Sequence, residues 1–320
     1  MQPLALFVLV SFAASASDAS LRAPIAERAR PFDARAAPLV LGPLAWRAGD
    51  VIESSRRLAN DLEVTCLVDG KLQQRFVRSE ESEARVRTRL AAVTDGRIER
   101  VGVRYELLVE RSMQPEELGS DGTSAGRAEL DALVEARDAL EGRAVELALE
   151  HGGSHARNED GTALERGLAE AVRSKELSRA GDLDTGVRAL ERWLSARRFE
   201  PGALVRVPEF VSLELLRGET LHQASTLELA LVPSQPGDAE GSARLRLAWH
   251  LAWTADEPGQ ELSADLAGHV LVERATARVL YLSASGDVAV AGAAQAGDAL
   301  VEYAGRGRLQ LVETRAFARE

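Results

Sequence analysis

Two Asp-Gly pairs, Asp69-Gly70 and Asp95-Gly96, separate long alternating runs between Arg57 and Val109. Asp-Gly flanked by alternation is the strongest short-range hairpin signal, so the stretch reads as three antiparallel strands in series. In the first run Leu58, Leu62, Val64, Cys66 and Val68 share one parity, while Arg57, Asp61, Glu63 and Thr65 share the parity of odd numbers. Successive strand side chains point to opposite faces, so one face is apolar and the other faces water.

Parity also constrains the turns. Strand two carries Leu72, Phe76, Ala84, Val86 and Leu90. A three-residue loop, Val68-Asp69-Gly70, sets Cys66 opposite Leu72 and Leu62 opposite Phe76, whereas a two-residue loop would set even positions against odd ones. A type I turn with a bulge and a left-handed Gly70 is therefore expected. Strand three is apolar at Val101, Val103, Tyr105, Leu107 and Val109. There a two-residue loop pairs Leu90 with Val101, Val86 with Tyr105 and Ala84 with Leu107. The two glycines are expected in different loops. Strands of about 15 residues would run ~50 Å, and antiparallel strands that long must coil as their twist accumulates.

The rest of the chain divides around this meander. Residues 1–16 carry an apolar run, Leu4–Ala14, ending in Ala14-Ser15-Ala16, which has the form of a signal peptide with Ser17 as first mature residue. Residues 17–45, broken by Pro24, Pro31, Pro38 and Pro43, read as an extended leader. The first β meander covers 46–111. A helical insert with a strand or hairpin covers 112–202: a loop at 112–126, a helix over Arg127–Leu140, a strand over Arg143–Glu150 turned by His151-Gly152-Gly153, a helix opened by the capping box Thr162–Glu165, and a helix over Asp184–Arg197. A second β meander covers 203–320, with strands over 221–232, 245–253, 262–272, 278–290 and 308–317. The two meanders are expected to form one composite domain. The fold class is α+β but β-dominated: a long-stranded, strongly curved antiparallel sheet, half-barrel-like, with a central helical insert.

A net charge of −11 argues against nucleic-acid binding, which needs a concentrated basic face. No later segment reaches the ~20 apolar residues of a spanning helix, so the chain is not expected to be integral to a membrane. Together with the leader this points to export, to a periplasmic or extracellular location. Cys66 is the only cysteine; it excludes an internal disulfide and falls on the inward face as a small hydrophobe.

The chemistry-bearing residues do not assemble into a known catalytic motif. His151 and His155 have metal-like i, i+4 spacing, but Gly152-Gly153 between them denies a helix that would align the rings. Asn158–Gly161 resembles a calcium loop whose first and twelfth positions would be Ala156 and Gly167, so the essential ligands are missing. His222, His250 and His269 are isolated in strands, and Gly305-Arg-Gly307 reads as a turn. No metal or cofactor is expected. The large apolar groups Trp249 and Trp253 share a face, with Trp46 and Trp193 elsewhere; they serve either as packed core or as lining for an apolar ligand.

The run Leu262-Ser-Ala-Asp-Leu-Ala-Gly268, continuing through Val272-Glu273-Arg-Ala-Thr276 to Leu282, follows the long Asp-Gly-linked strands. This pattern resembles secreted bacterial proteins of unknown function that are similar to the LolA/LolB lipoprotein carriers. Ala277 stands where that pattern has Gly. The resemblance covers roughly residues 46–110 and 221–317 and implies a curved half-barrel. It transfers no functional residue. The leading expectation is a non-catalytic exported protein that binds or carries an apolar or amphipathic ligand, such as a lipid, on the concave face. Its tentative lining is Leu62, Val64, Phe76, Val86, Val103, Tyr105, Leu247, Trp249 and Trp253. The alternative is an envelope scaffold that docks a protein partner on the helical insert. A hydrolase or metalloenzyme would require a cleft gathering His151, His155 and Asp160.

Overall fold

A computed structural model describes residues 37–113, 116–117, 133–150, 153–178, 181–183, 185–215, 223–254, 260–296 and 299–319. In chain order the elements are β1 (Leu39–Val40), β2 (Asp50–Val68), β3 (Lys71–Thr94), β4 (Arg97–Met113), β5 (Glu116–Glu117), β6 (Leu133–Arg137), β7 (Ala144–Glu150) and β8 (Gly153–Asn158). Helices α1 (Arg166–Glu176) and α2 (Val187–Leu194) follow, then β9 (Arg198–Phe199), β10 (Leu204–Val207) and α3 (Glu209–Glu214). The chain closes with β11 (Gln223–Val232), β12 (Ser242–Thr254), β13 (Gln260–Glu273), β14 (Val279–Ala296) and β15 (Ala299–Arg319). The signal peptide, the leader up to residue 36, the expected cleavage site, His151 and His222 lie outside the described residues.

One open antiparallel sheet runs in the order β10-β11-β12-β13-β14-β15-β2-β3-β4-β7-β8, with β5 on β3 and β6 on β4. The seam between the meanders is β15 against β2, paired continuously from Val301–Val68 to Arg319–Asp50. Two stretches far apart in sequence thus share one sheet, and the fold is the β-dominated antiparallel architecture that the alternation predicts. The long strands exceed expectation: β3 has 24 residues and β15 has 21.

The two Asp-Gly loops are the same, and this corrects the parity argument. Asp69 and Gly70 have φ of 49° and 72°, Asp95 and Gly96 of 50° and 74°. Both loops therefore have two left-handed central residues, the conformation whose twist matches the flanking strands. The parity mismatch is resolved inside the strands. Leu67 pairs Leu72, but Cys66 pairs Gln74, so Gln73 is a bulge that brings Val64 opposite Phe76. Beyond the second loop Leu90 pairs Val101 and Val86 pairs Tyr105, as expected, while a further bulge sets Ala84 opposite Leu108 rather than Leu107.

Glycines mark where neighbouring strands approach most closely. Gly305 and Gly307 lie in the middle of β15, not in a turn. A Cβ at Gly307 would run into the carbonyl oxygen of Asp61, one at Gly286 into that of Asp265, and one at Gly268 into that of Ser283. These close approaches lie on β13, β14 and β15, and only a residue without a side chain permits them.

The insert is less helical than its periodicity predicts. Residues 133–137 form β6, paired with Val109–Met113 of β4, instead of the latter half of a helix. The open edge of β4 offers unpaired backbone groups there, and satisfying them outweighs helical spacing. Helix α1 begins three residues after the expected cap, with Glu165 as N-cap and no side-chain capping bond. Thr162 instead donates from its backbone N and its Oγ1 to Asp160 Oδ1, at 2.9 and 2.6 Å. Strands β1, β9 and β10 and helix α3 have no counterpart in the sequence reading; β1, within the stretch expected as leader, pairs with β9.

All three helices cover one face of the sheet and divide its interior into two cores. Val187, Leu190 and Leu194 of α2 and Val211 of α3 pack with Leu62, Val64, Leu229, Leu247, Trp249 and Leu311. Val172 of α1, with Trp46 and Leu183, packs with Leu90, Val101, Val103, Tyr105 and Leu147.

Candidate functional site

Between the two cores a cleft of about 460 Å³ remains under α1 and α2. Its floor is laid by strand register. One cross-strand row runs Arg315–Ser54–Val86–Tyr105, and the next runs Glu313–Arg56–Ala84–Leu108. Leu58 and Ser82 extend the floor in a further row. The roof is the C-terminal turn of α1, Ser174 to Glu176, and the residues entering α2, Thr185 to Arg188. In both rows the β15 and β2 residues are polar and the β3 and β4 residues largely apolar, so the cleft is amphipathic.

Several walls of this cleft are fixed by buried polar networks. Tyr105 donates its hydroxyl to Glu176 Oε1 at 3.2 Å, and Arg188 donates to Glu176 Oε2 at 3.1 Å and to Thr185 Oγ1 at 2.8 Å. Burial, reinforced by the Glu176 carboxylate, pushes the Tyr105 phenol far above its ordinary value, so it stays a donor. On the opposite side Arg315 pairs with the fully buried Glu191, which also accepts the Val279 N–H at 2.8 Å. Burial drives the Glu191 carboxyl upward, opposed by the Arg315 charge and hydrogen bond. These pairs hold α1 and α2 at fixed heights above the sheet. At the α2 end, Arg56 donates to the carbonyl of Leu215 at 2.9 Å.

The residues expected to line a ligand site separate into three sets. Val86 and Tyr105 face the cleft. Leu62, Val64, Leu247 and Trp249 lie in the first core, with Phe76 half-buried against it; Val103 lies in the second. Trp249 is 1% exposed and donates its indole N–H to Ser225 Oγ at 2.8 Å, so its one polar group is satisfied inside the core. The side chain of Trp253 lies outside the described residues.

Sequence reasoning passed over Ser54, Arg56, Ser82, Glu313 and Arg315. A signal was present: each is a polar residue on the inward parity of its strand, beside Ile52, Leu58, Ala84, Val86 and Leu311. The histidines take other positions. His250 is exposed with Nδ1 2.8 Å from Asp265 Oδ1, and His269 stacks on Tyr281 with Nδ1 3.2 Å from Ser283 Oγ. His155 lies 3.9 Å from Glu150 at the surface. Among the described residues no group of three or more His, Cys, Asp or Glu side chains converges as a metal site.

No known protein family matches the chain, and no curated protein does. Among solved structures it is similar to lipovitellin, in a study titled for lipid–protein interactions, with a TM-score of 0.35 and 8% identity over 85% of this chain. The chain spans 26% of that protein's length. A Salmonella typhi OmpF complex with daunomycin gives a TM-score of 0.17 and 9% identity, covering 85% of this chain and 99% of that one. Likenesses at these TM-scores carry no functional information. No helix among the described residues is long and apolar enough to cross a membrane.

Proposed function

We propose that this chain binds a small amphipathic molecule in the cleft between its two cores and carries it, performing no chemistry on it. The observation that supports this reading is the 460 Å³ cleft itself, floored by the mixed rows Arg315–Ser54–Val86–Tyr105 and Glu313–Arg56–Ala84–Leu108. Pockets of this size class bind small ligands, their fixed polar groups setting orientation, and this one is lined by polar groups along one side and apolar groups along the other. Burying helices against a sheet without filling the gap forgoes contact energy, and a ligand restores it. Export, read from the Leu4–Ala14 run and Ala14-Ser15-Ala16, belongs to the same proposal and places the carrier outside the cytoplasm.

Native mass spectrometry of the purified protein, followed by solvent extraction, tests this reading. The expected result is a bound amphiphile in the native chain that is lost in Ala84→Trp, where an indole fills the cleft. Retention of the same molecule by a folded Ala84→Trp variant, or a chain that neither carries nor takes up any alkyl-chain probe, overturns it.

A further inference from the structure

We infer that the polar end of the ligand carries no net charge and both donates and accepts hydrogen bonds, on a molecule with a single alkyl chain. This rests on the cleft reading above. It follows from which charges in the cleft are already neutralised. Glu176 is met by Arg188 at 3.1 Å, Lys175 by Asp138 at 3.0 Å, Glu83 by Arg111 at 3.3 Å, and Arg315 by Glu191. Glu110 stands exposed at the mouth.

Arg56 and Glu313 are less fully matched: Glu313 has only the long ion pair to Arg315, which Arg315 shares with Glu191, and no acidic side chain pairs with Arg56 among the described residues. They are direct cross-strand neighbours on β2 and β15, and both line the cleft. Among the described residues no ion pair joins them. The bond to the Leu215 carbonyl engages Arg56 Nη2 alone, and the charge nearest Glu313 is Arg315 Nε at 3.9 Å. A guanidinium has five N–H donors and an ionised carboxylate only acceptors, so the pair offers a ligand one donor side and one acceptor side, a cross-strand spacing apart.

That juxtaposition selects against charge. A carboxylate drawn to Arg56 would be forced beside Glu313, and an ammonium drawn to Glu313 would be forced beside Arg56. In a half-enclosed, low-dielectric site such like-charge approaches cost more than in water. A hydroxyl or amide head meets both groups without that penalty. The alkyl chain then lies over Leu58, Ala84, Val86 and Leu108, and the cleft volume fits one chain with a small head.

Calorimetric titration of the full chain with three twelve-carbon probes tests this: monolauroylglycerol, dodecanoate and dodecylammonium, each below its micellar concentration. The glycerol ester is expected to bind about tenfold tighter than either ion, the scale of one hydrogen bond to a charged group. Glu313→Gln should weaken the ester and strengthen dodecanoate; Arg56→Gln, which keeps a donor for Leu215, should weaken the ester and strengthen dodecylammonium. Far-ultraviolet dichroism and melting confirm that each variant is folded. An ion binding as tightly as the ester, or substitutions that move all three affinities together, overturns the head-group inference alone. Failure of all three probes to bind overturns the cleft reading and this inference with it.

Discussion

Arg278 donates to Asp50 Oδ2 at 2.6 Å, joining groups 228 residues apart in sequence. The contact ties the β13–β14 turn to the first residue of β2, and its guanidinium also lies 4.9 Å from the Trp46 ring centroid and 5.0 Å from that of Phe317. The ion pair is nearly dry, with side-chain exposures of 16% and 6%. It clamps the two meanders at the end of their shared seam.

Removing one member of such a pair leaves the other charge buried and unmatched. Asp50→Asn is expected to destabilise the fold by about 3 kcal/mol, read from the urea midpoint. Arg278→Met should cost at least as much, because it leaves the more deeply buried Asp50 carboxylate unmatched and gives up the cation–π contacts with Trp46 and Phe317.

The β15–β2 seam depends on close backbone approach at Gly307. Gly307→Ala would drive a methyl group into the Asp61 carbonyl oxygen, and β15 would have to move away from β2. A loss of about 2 kcal/mol or more is expected, measured by chemical denaturation. Gly102, where a Cβ would meet open space, is the control and should tolerate Ala with little change.

Helix α2 ends without the glycine that its geometry favours. Ser195 is its C-cap and Ala196, exposed, has φ of 56°. An L-residue with a side chain is strained in that region. Ala196→Gly should therefore raise stability by about 1 kcal/mol, visible as a higher melting temperature.

Acid sensitivity is expected at Asp238. Arg244 donates from Nε to its Oδ2 at 3.1 Å, and this hydrogen bonding holds the carboxyl below its ordinary range. A carboxyl with a folded value lower than its unfolded value contributes stability above the unfolded value, about pH 4, and that contribution is lost as pH falls through the folded value. Asp238→Asn should be less stable than the native chain at neutral pH. The difference between the two should shrink progressively below about pH 4; a difference that stays constant down to that range would exclude Asp238 as a source of acid sensitivity.

Much of the sheet is legible in residue order, because alternation and Asp-Gly chemistry are local. Leu90–Val101 and Val86–Tyr105 follow from counting outward from Asp95-Gly96. The first hairpin shows where counting fails: a bulge at Gln73 can shift a register as well as a longer loop can, and parity alone does not distinguish them. The Leu133–Arg137 segment shows the other limit, since its helical spacing yields to an unpaired edge of β4 that the segment's own sequence does not contain.

The residues by themselves determined the long strands, where the first meander turns, and which side of each strand is apolar, since these depend on neighbours within a few positions. Only the tertiary structure decided that Glu313 lies opposite Arg56 and Arg315 opposite Ser54, and that α1 and α2, joined by Arg188 and Glu176, roof them. Those rows depend on the β15–β2 seam, whose two strands are separated by most of the chain, and on every bulge between them. A polar residue on an inward parity becomes core, cleft or strain according to what is placed over it, and that placement is a long-range packing result.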